Sequence, residues 1–185
     1  MSSRPPGALA LAALLALATA SDAKTRSKKV KKPPREPWLL FPVDVRAFQY
    51  VSSEFGLRKL HRKVKQHRGV DLVAPRGAWV VAAREGTITS VGRDKACGWF
   101  VRLEHANGWR TVYCHLKRDP RLLGVAEGAL ISAQSVLGEV GSTGHSTGPH
   151  LHFSLLDPAG RSRDPLASLY TPRETYDLLK RGVAR

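Results

Sequence analysis

The dipeptide Asn107-Gly108 stands between "WFVRLEHA" and "WRTVYCHL", two runs rich in valine, threonine and aromatic residues. Asn-Gly readily supplies the positive-φ backbone of a hairpin turn, so the flanking runs are expected to pair as antiparallel strands. Turn residues recur at Glu85-Gly86 and at Asp157-Pro158-Ala159-Gly160. They divide the chain into candidate strands at 79–83, 87–91, 99–105, 110–115, 136–140 and 150–156. Only the tail, "TPRETYDLLKRGVAR", has helical signals: Thr171 as N-cap, Pro172 at the first position and Glu174 three residues after the cap. The expectation is an all-β fold, a compact antiparallel sheet domain with a short C-terminal helix. A chain of 185 residues, 42% of them hydrophobic, can bury one such core.

The N-terminal part follows different rules. Arg4, then "ALALAALLALATA", then "SDA" reads as the charged, apolar and small-residue regions of a secretory signal over residues 1–20. The apolar run is too short and alanine-rich for a spanning helix, so an exported protein without a transmembrane anchor is expected, in the periplasm or outside the cell. Residues 21–37 form a basic, proline-containing linker whose stretch "KTRSKKVKKPPREP" cannot bury apolar surface. It is a solvated spacer or, more specifically, an electrostatic tether to anionic wall polymers. The globular domain is placed at 38–170 and the helical tail at 171–185.

The formal charge of +15 does not by itself mean nucleic acid, because no nucleic-acid-binding motif or aromatic platform accompanies it. The expected state is a monomer. Cys97 and Cys114 are expected as separate thiols, since the hairpin register sets Cys114 near Val101 and a bridge would require the chain before Trp99 to fold back.

Chemistry concentrates in three places. "GSTGHSTGPHLHF" holds His145, His150 and His152 together with Gly141, Gly144 and Gly148, and a strand over "HLHFSLL" points His150 and His152 to one face. "HRGVD" sets His67 and Asp71 four apart, on one side of either an extended run or a helical turn, with Gly69 allowing a bend. "YCHL" adds His115. A metal explains most of these groups: two imidazoles and a carboxylate, His67, His152 and Asp71, leave one tetrahedral position open, and His115 and His150 stand beside it for proton transfer. His61, His105 and His145 are taken as structural or surface residues. Trp79, Trp99 and Trp109 are taken as core or groove wall.

"HRGVD", "YCHL" and "GSTGHSTGPHLHF" in this order resemble the lysostaphin/LytM-type zinc metallopeptidases. The likeness extends through "FPVDVRAFQYVSSEFGLR", "APRGAWVVAAREGTITSVG", "RLEHANGWRTVYCHL" and "DPLASL", roughly residues 41–170. It implies a sandwich/barrel hybrid with a substrate groove, one zinc ion held by His67, Asp71 and His152, and catalytic histidines at His115 and His150. The implied activity is an endopeptidase hydrolysing peptide crosslinks of peptidoglycan, D,D-bonds to diaminopimelate rather than pentaglycine. Ser154 stands where the family commonly has an acid, which bears on hydrogen bonding behind the metal ligands. The basic "KLHRKVKQ" before His67 is expected to line the groove, and Gly141, Gly144 and Gly148 are expected to keep the loop bare so that a substrate peptide can lie against its backbone. Two other readings are open to the residues: a non-catalytic wall-binding or amidase-activating module of the same fold, and an iron oxygenase with a two-histidine, one-carboxylate triad.

Overall fold

The structure is a computed structural model that describes residues 38–60 and 63–182. The expected signal and linker, and the last three residues of the tail, lie outside the described residues. Among those described, no helix is long and apolar enough to cross a membrane.

In chain order come β1 (Tyr50–Ser53), β2 (Gly56–Leu60), β3 (Lys63–His67), β4 (Val70–Val73), β5 (Trp79–Val81) and β6 (Gly86–Asp94). They are followed by β7 (Gly98–Glu104), β8 (Arg110–Leu116), β9 (Leu130–Ile131), β10 (Val136–Glu139), β11 (His150–Leu156), β12 (Ser162–Arg163) and the helix α1 (Pro172–Lys180). The main sheet runs β1-β4-β11-β8-β7-β6-β9, with β12 on β11, while β5 with β10 and β2 with β3 form separate ribbons. The named pairs are antiparallel. All six candidate strands are present, and α1 carries the expected capping box of Thr171 with Glu174.

The β7–β8 hairpin closes at His105 and Trp109, and only Gly108 of its three-residue loop takes positive φ. Its neighbour His105 is buried and bridges Glu85 O to the Thr111 hydroxyl, which in turn donates to the Tyr113 hydroxyl. That network satisfies polar groups inside the core.

Alternation along the strands sets one face inward and leaves the other for chemistry. On β4, Val70 and Leu72 enter the core, which turns Asp71 the other way; on β11, Leu151, Phe153 and Leu155 do the same for His150, His152 and Ser154. Tyr113 of β8 and Leu103 of β7 continue the apolar layer, and Leu39, Val43, Val80 and Leu137 belong to the same core. The β2–β3 ribbon packs differently. Leu57 and Val64 are 77% and 61% exposed, so at these positions the strongly basic hairpin puts its apolar side chains in solvent, and burial prints no period-2 pattern there.

The predicted turn after β11 is built on Asp157, whose side chain is fully buried. Its Oδ1 accepts from the backbone N–H of Ala159 and Arg161, and its Oδ2 from the side chains of Arg161 and Arg163. Burial opposes ionisation, but the Arg161 N–H and the two guanidiniums outweigh it and bring the carboxyl down to about 2. A depressed folded-state pKa stabilises the fold above the ordinary carboxyl range, and that stability is lost as pH falls toward 2. Asp157→Asn should therefore lower stability at pH 7 by about 1–3 kcal/mol, as an imperfectly partnered buried group does. Urea titrations should show the gap to wild type narrowing between about pH 4 and pH 2.

Candidate metal centre

His67 ends β3, Asp71 lies in β4, and the β4–β11 register sets His152 directly opposite Asp71. The extended reading of "HRGVD" holds, with a bend at Gly69. A Cβ on Gly69 would stand 2.5 Å from Phe153 O and 2.8 Å from His152 Cε1, so glycine is what lets the chain pass close over β11 and deliver His67. The result is a tight convergence: His67 Nε2 is 3.1 Å from Asp71 Oδ1 and 3.1 Å from His152 Nδ1, and His152 Nδ1 is 2.8 Å from Asp71 Oδ1.

Hydrogen bonds behind these atoms fix which nitrogen faces inward. His67 Nδ1 donates to Glu54 O at 2.7 Å, which leaves the lone pair of the neutral ring on Nε2. His152 is turned the other way, with Nε2 2.9 Å from the Ser154 hydroxyl and Nδ1 in the cluster. Arg58 Nη1 donates to Ser53 Oγ and to Asp71 Oδ2. Burial works against ionising Asp71, yet hydrogen bonds and charge from His152 and His67 hold its carboxyl well below the usual carboxylate range.

Electron-rich atoms this close repel one another unless a proton or cation lies among them. Two imidazole nitrogens and one carboxylate oxygen, with their far sides fixed by hydrogen bonds, are the donor set of a catalytic zinc site. The cluster of His67, Asp71 and His152 is suited to hold one metal ion.

His115 and His150 adjoin it. Their ring centroids are 4.7 Å apart, and His115 lies 5.9 Å from His152. His115 Nδ1 donates to Thr143 O and His150 Nδ1 to Gly148 O, so each presents Nε2 as a free acceptor. His150 Nε2 is 3.7 Å from Asp71 Oδ1. Burial pushes His115 down to about 4; the Thr143 carbonyl opposes this, and His150 and His152 reinforce it. At neutral pH His115 is an uncharged base.

Three expectations are corrected. Cys97 and Cys114 form a disulfide, with Cα atoms 4.9 Å apart. Asp94 Oδ1 caps the N–H groups of Ala96 and Cys97, which folds the chain back before Trp99, and the β7–β8 pairing shifts register between Trp99 and Val101. His115 itself has φ of 63°, a strained conformation for a non-glycine residue, and its N–H donates to Cys97 O. The bridge thus fastens the backbone that aims His115. Replacing both cysteines with serine should cost about 2–4 kcal/mol of stability. It should also lower activity with metal content unchanged, measured by denaturant titration and by elemental analysis beside turnover.

The second correction concerns the glycine-rich loop. A side chain on Gly141 would meet Lys117 Cα at 2.4 Å, and one on Gly144 would meet Gly98 N at 2.3 Å. Those two glycines are required by the protein's own backbone, which anchors Thr143 over His115; only Gly148 faces open space. Trp109 is core and Trp99 packs against the core, but Trp79 is a third correction: it is 43% exposed and lines a separate pocket with Val45 and Tyr176, so it is neither core nor groove wall. His145 is exposed on the groove, and His61 lies outside the described residues. Sequence reasoning did not single out Ser53, Arg58 or Thr143, because each acts through backbone or another side chain and carries no motif of its own.

Residues 65–165 match Peptidase family M23. The chain belongs to peptidase family M23. Among curated relatives of this M23 chain is the peptidoglycan DD-endopeptidase ShyC of Vibrio cholerae, 38% identical over 125 residues, covering 66% of the chain and 27% of ShyC. The chain spans about a quarter of the length of the curated relatives it matches. A zinc-containing peptidase from Vibrio cholerae superposes with a TM-score of 0.60 at 28% identity, over 74% of this chain and 40% of that one. The catalytic domain of lysostaphin from Staphylococcus simulans gives a TM-score of 0.55 at 28% identity, over 63% of this chain and 89% of that one. The all-β M23 architecture and the lysostaphin-type resemblance are both borne out.

Proposed function

We propose that the protein is a zinc-dependent endopeptidase that cuts D,D-peptide crosslinks of peptidoglycan outside the cytoplasm. The observation that carries the proposal is the convergence of His67 Nε2, Asp71 Oδ1 and His152 Nδ1 beside two further imidazoles. Zinc bound by those three atoms would supply Lewis acidity for the peptide carbonyl and an activated water at neutral pH.

The chain's own residues supply the proton handling. His115 and His150 each have Nδ1 tied to a carbonyl, which orients the ring and leaves Nε2 as the nitrogen free to exchange a proton. Between them, these two nitrogens take the proton from water and return one to the departing amine. The lowered pKa of His115 keeps the ring uncharged near neutrality, with its Nε2 lone pair available. Arg58 and Ser154 hold Asp71 and His152 in place rather than reacting.

The relative named a peptidoglycan DD-endopeptidase supports the choice of substrate, and the disulfide and the signal-like residues 1–20 support export into an oxidising compartment. Digestion of purified sacculi by the full chain, read by mass, is expected to convert crosslinked dimers to monomers with new D-alanine carboxyl termini. Unchanged crosslinks in the presence of zinc would leave a wall-binding or amidase-activating module as the better description.

A further inference from the structure

We propose that the groove beside the metal centre contains a carboxylate-binding subsite formed by Arg102 with Lys65 and Arg68. The preferred substrate is then a peptide carrying a free carboxylate within a few residues of the bond that is cut. The inference rests on the peptidase reading and adds the charge of the substrate to it.

The groove encloses about 970 Å³ and continues from His115 and His150 past His152 to Ser154 and Leu156. Four cations line it, Arg58, Lys65, Arg68 and Arg102, against the carboxylates of Asp71 and Asp94. Both carboxylates already have work within the protein. Asp71 belongs to the metal cluster and Asp94 caps the turn that carries Cys97. Of the cations, only Arg58 has an ion-pair partner among the described residues, Asp71. Lys65, Arg68 and Arg102 have none there, and all three are exposed to the groove.

The strand register fixes where Arg102 stands. It lies opposite Val112 of β8, and Val112 lies opposite Ser154 of β11, two residues along from His152. Two strand spacings carry Arg102 about 10 Å across the sheet from Ser154. Its guanidinium sits 5.0 Å over the Phe100 ring, which steadies the long side chain. Arg68 adjoins Gly69, where the chain crosses Phe153 and Ser154, and it lines the same groove. The centre lies two residues further along β11, which makes the interval to Arg102 about 12 Å, or three to four residues of an extended peptide advancing about 3.3–3.6 Å each.

A guanidinium offers a planar fork of donors that matches a carboxylate, and a partly enclosed groove strengthens the pairing relative to open water. An uncharged carboxamide at the same place loses the charge and leaves the fork half matched. One charge-assisted contact of this kind corresponds to a preference of about ten-fold or more.

The test uses the full zinc-loaded chain and two crosslinked peptides that differ only in whether the free carboxylate about three to four residues from the D,D-bond is a carboxamide. The acid form should be cut with a kcat/KM at least about ten-fold higher, expressed in KM, and the preference should shrink as salt is raised. Arg102→Ala should abolish the preference and Arg102→Lys should keep part of it. Equal kcat/KM for the two peptides overturns the subsite while leaving the peptidase reading intact. If neither peptide is cut, the peptidase reading fails, and calorimetric titration of the same two peptides decides the subsite. Tighter binding of the acid that Arg102→Ala removes upholds it, and equal affinity overturns it.

Discussion

His67→Ala is expected to empty the metal centre and to lower peptidoglycan hydrolysis by at least about a thousand-fold. Metal chemistry supplies several kcal/mol to such a reaction, and each 1.36 kcal/mol is a factor of ten. The variant leaves Asp71 and His152 of the three-residue cluster, and it also frees Glu54 O from its imidazole partner. Asp71→Ala should act in the same way, with the added release of Arg58. Neither residue contributes to the apolar core, so circular dichroism should stay close to wild type while elemental analysis shows the ion lost. A variant that kept one ion per chain and full turnover would remove His67 from the account.

His115→Ala is expected to separate binding from chemistry. The imidazole is not part of the three-atom cluster, so one ion per chain should remain, while turnover falls about 10²–10⁴-fold as proton transfer is lost. His150→Ala should resemble it. The double variant should cost far less than the product of the two single losses, because both rings serve one proton relay. Stopped turnover with a full metal complement is the signature to look for. Loss of the ion in His115→Ala would instead mean that this ring holds the metal.

Much of the fold was legible because its central strands alternate. "HLHFSLL" showed its own two faces, and Asn107-Gly108 announced the hairpin beside it. The β2–β3 ribbon was hidden for the opposite reason: with Leu57 and Val64 exposed and cations between them, burial imposes no pattern at those positions. The five site residues could be named from motif order, yet their mutual distances depend on the β4–β11 register, which no local signal specifies. The disulfide was misread for a related reason. A positive φ at His115 and a turn capped by Asp94 shift the strand ends by a residue or more, and neither feature is written in a hairpin dipeptide. The glycines of the loop before β11 likewise gave the right location for the wrong cause, since Gly141 and Gly144 serve contacts inside the protein.

The most direct test is anomalous diffraction at the zinc absorption edge from crystals of the zinc-loaded protein. The account predicts one strong peak about 2.0–2.2 Å from His67 Nε2, His152 Nδ1 and Asp71 Oδ1, with His115 and His150 outside bonding distance. A peak coordinated by His115 or His150 in place of one of these three, or no peak at the cluster in protein that retains zinc, would contradict it.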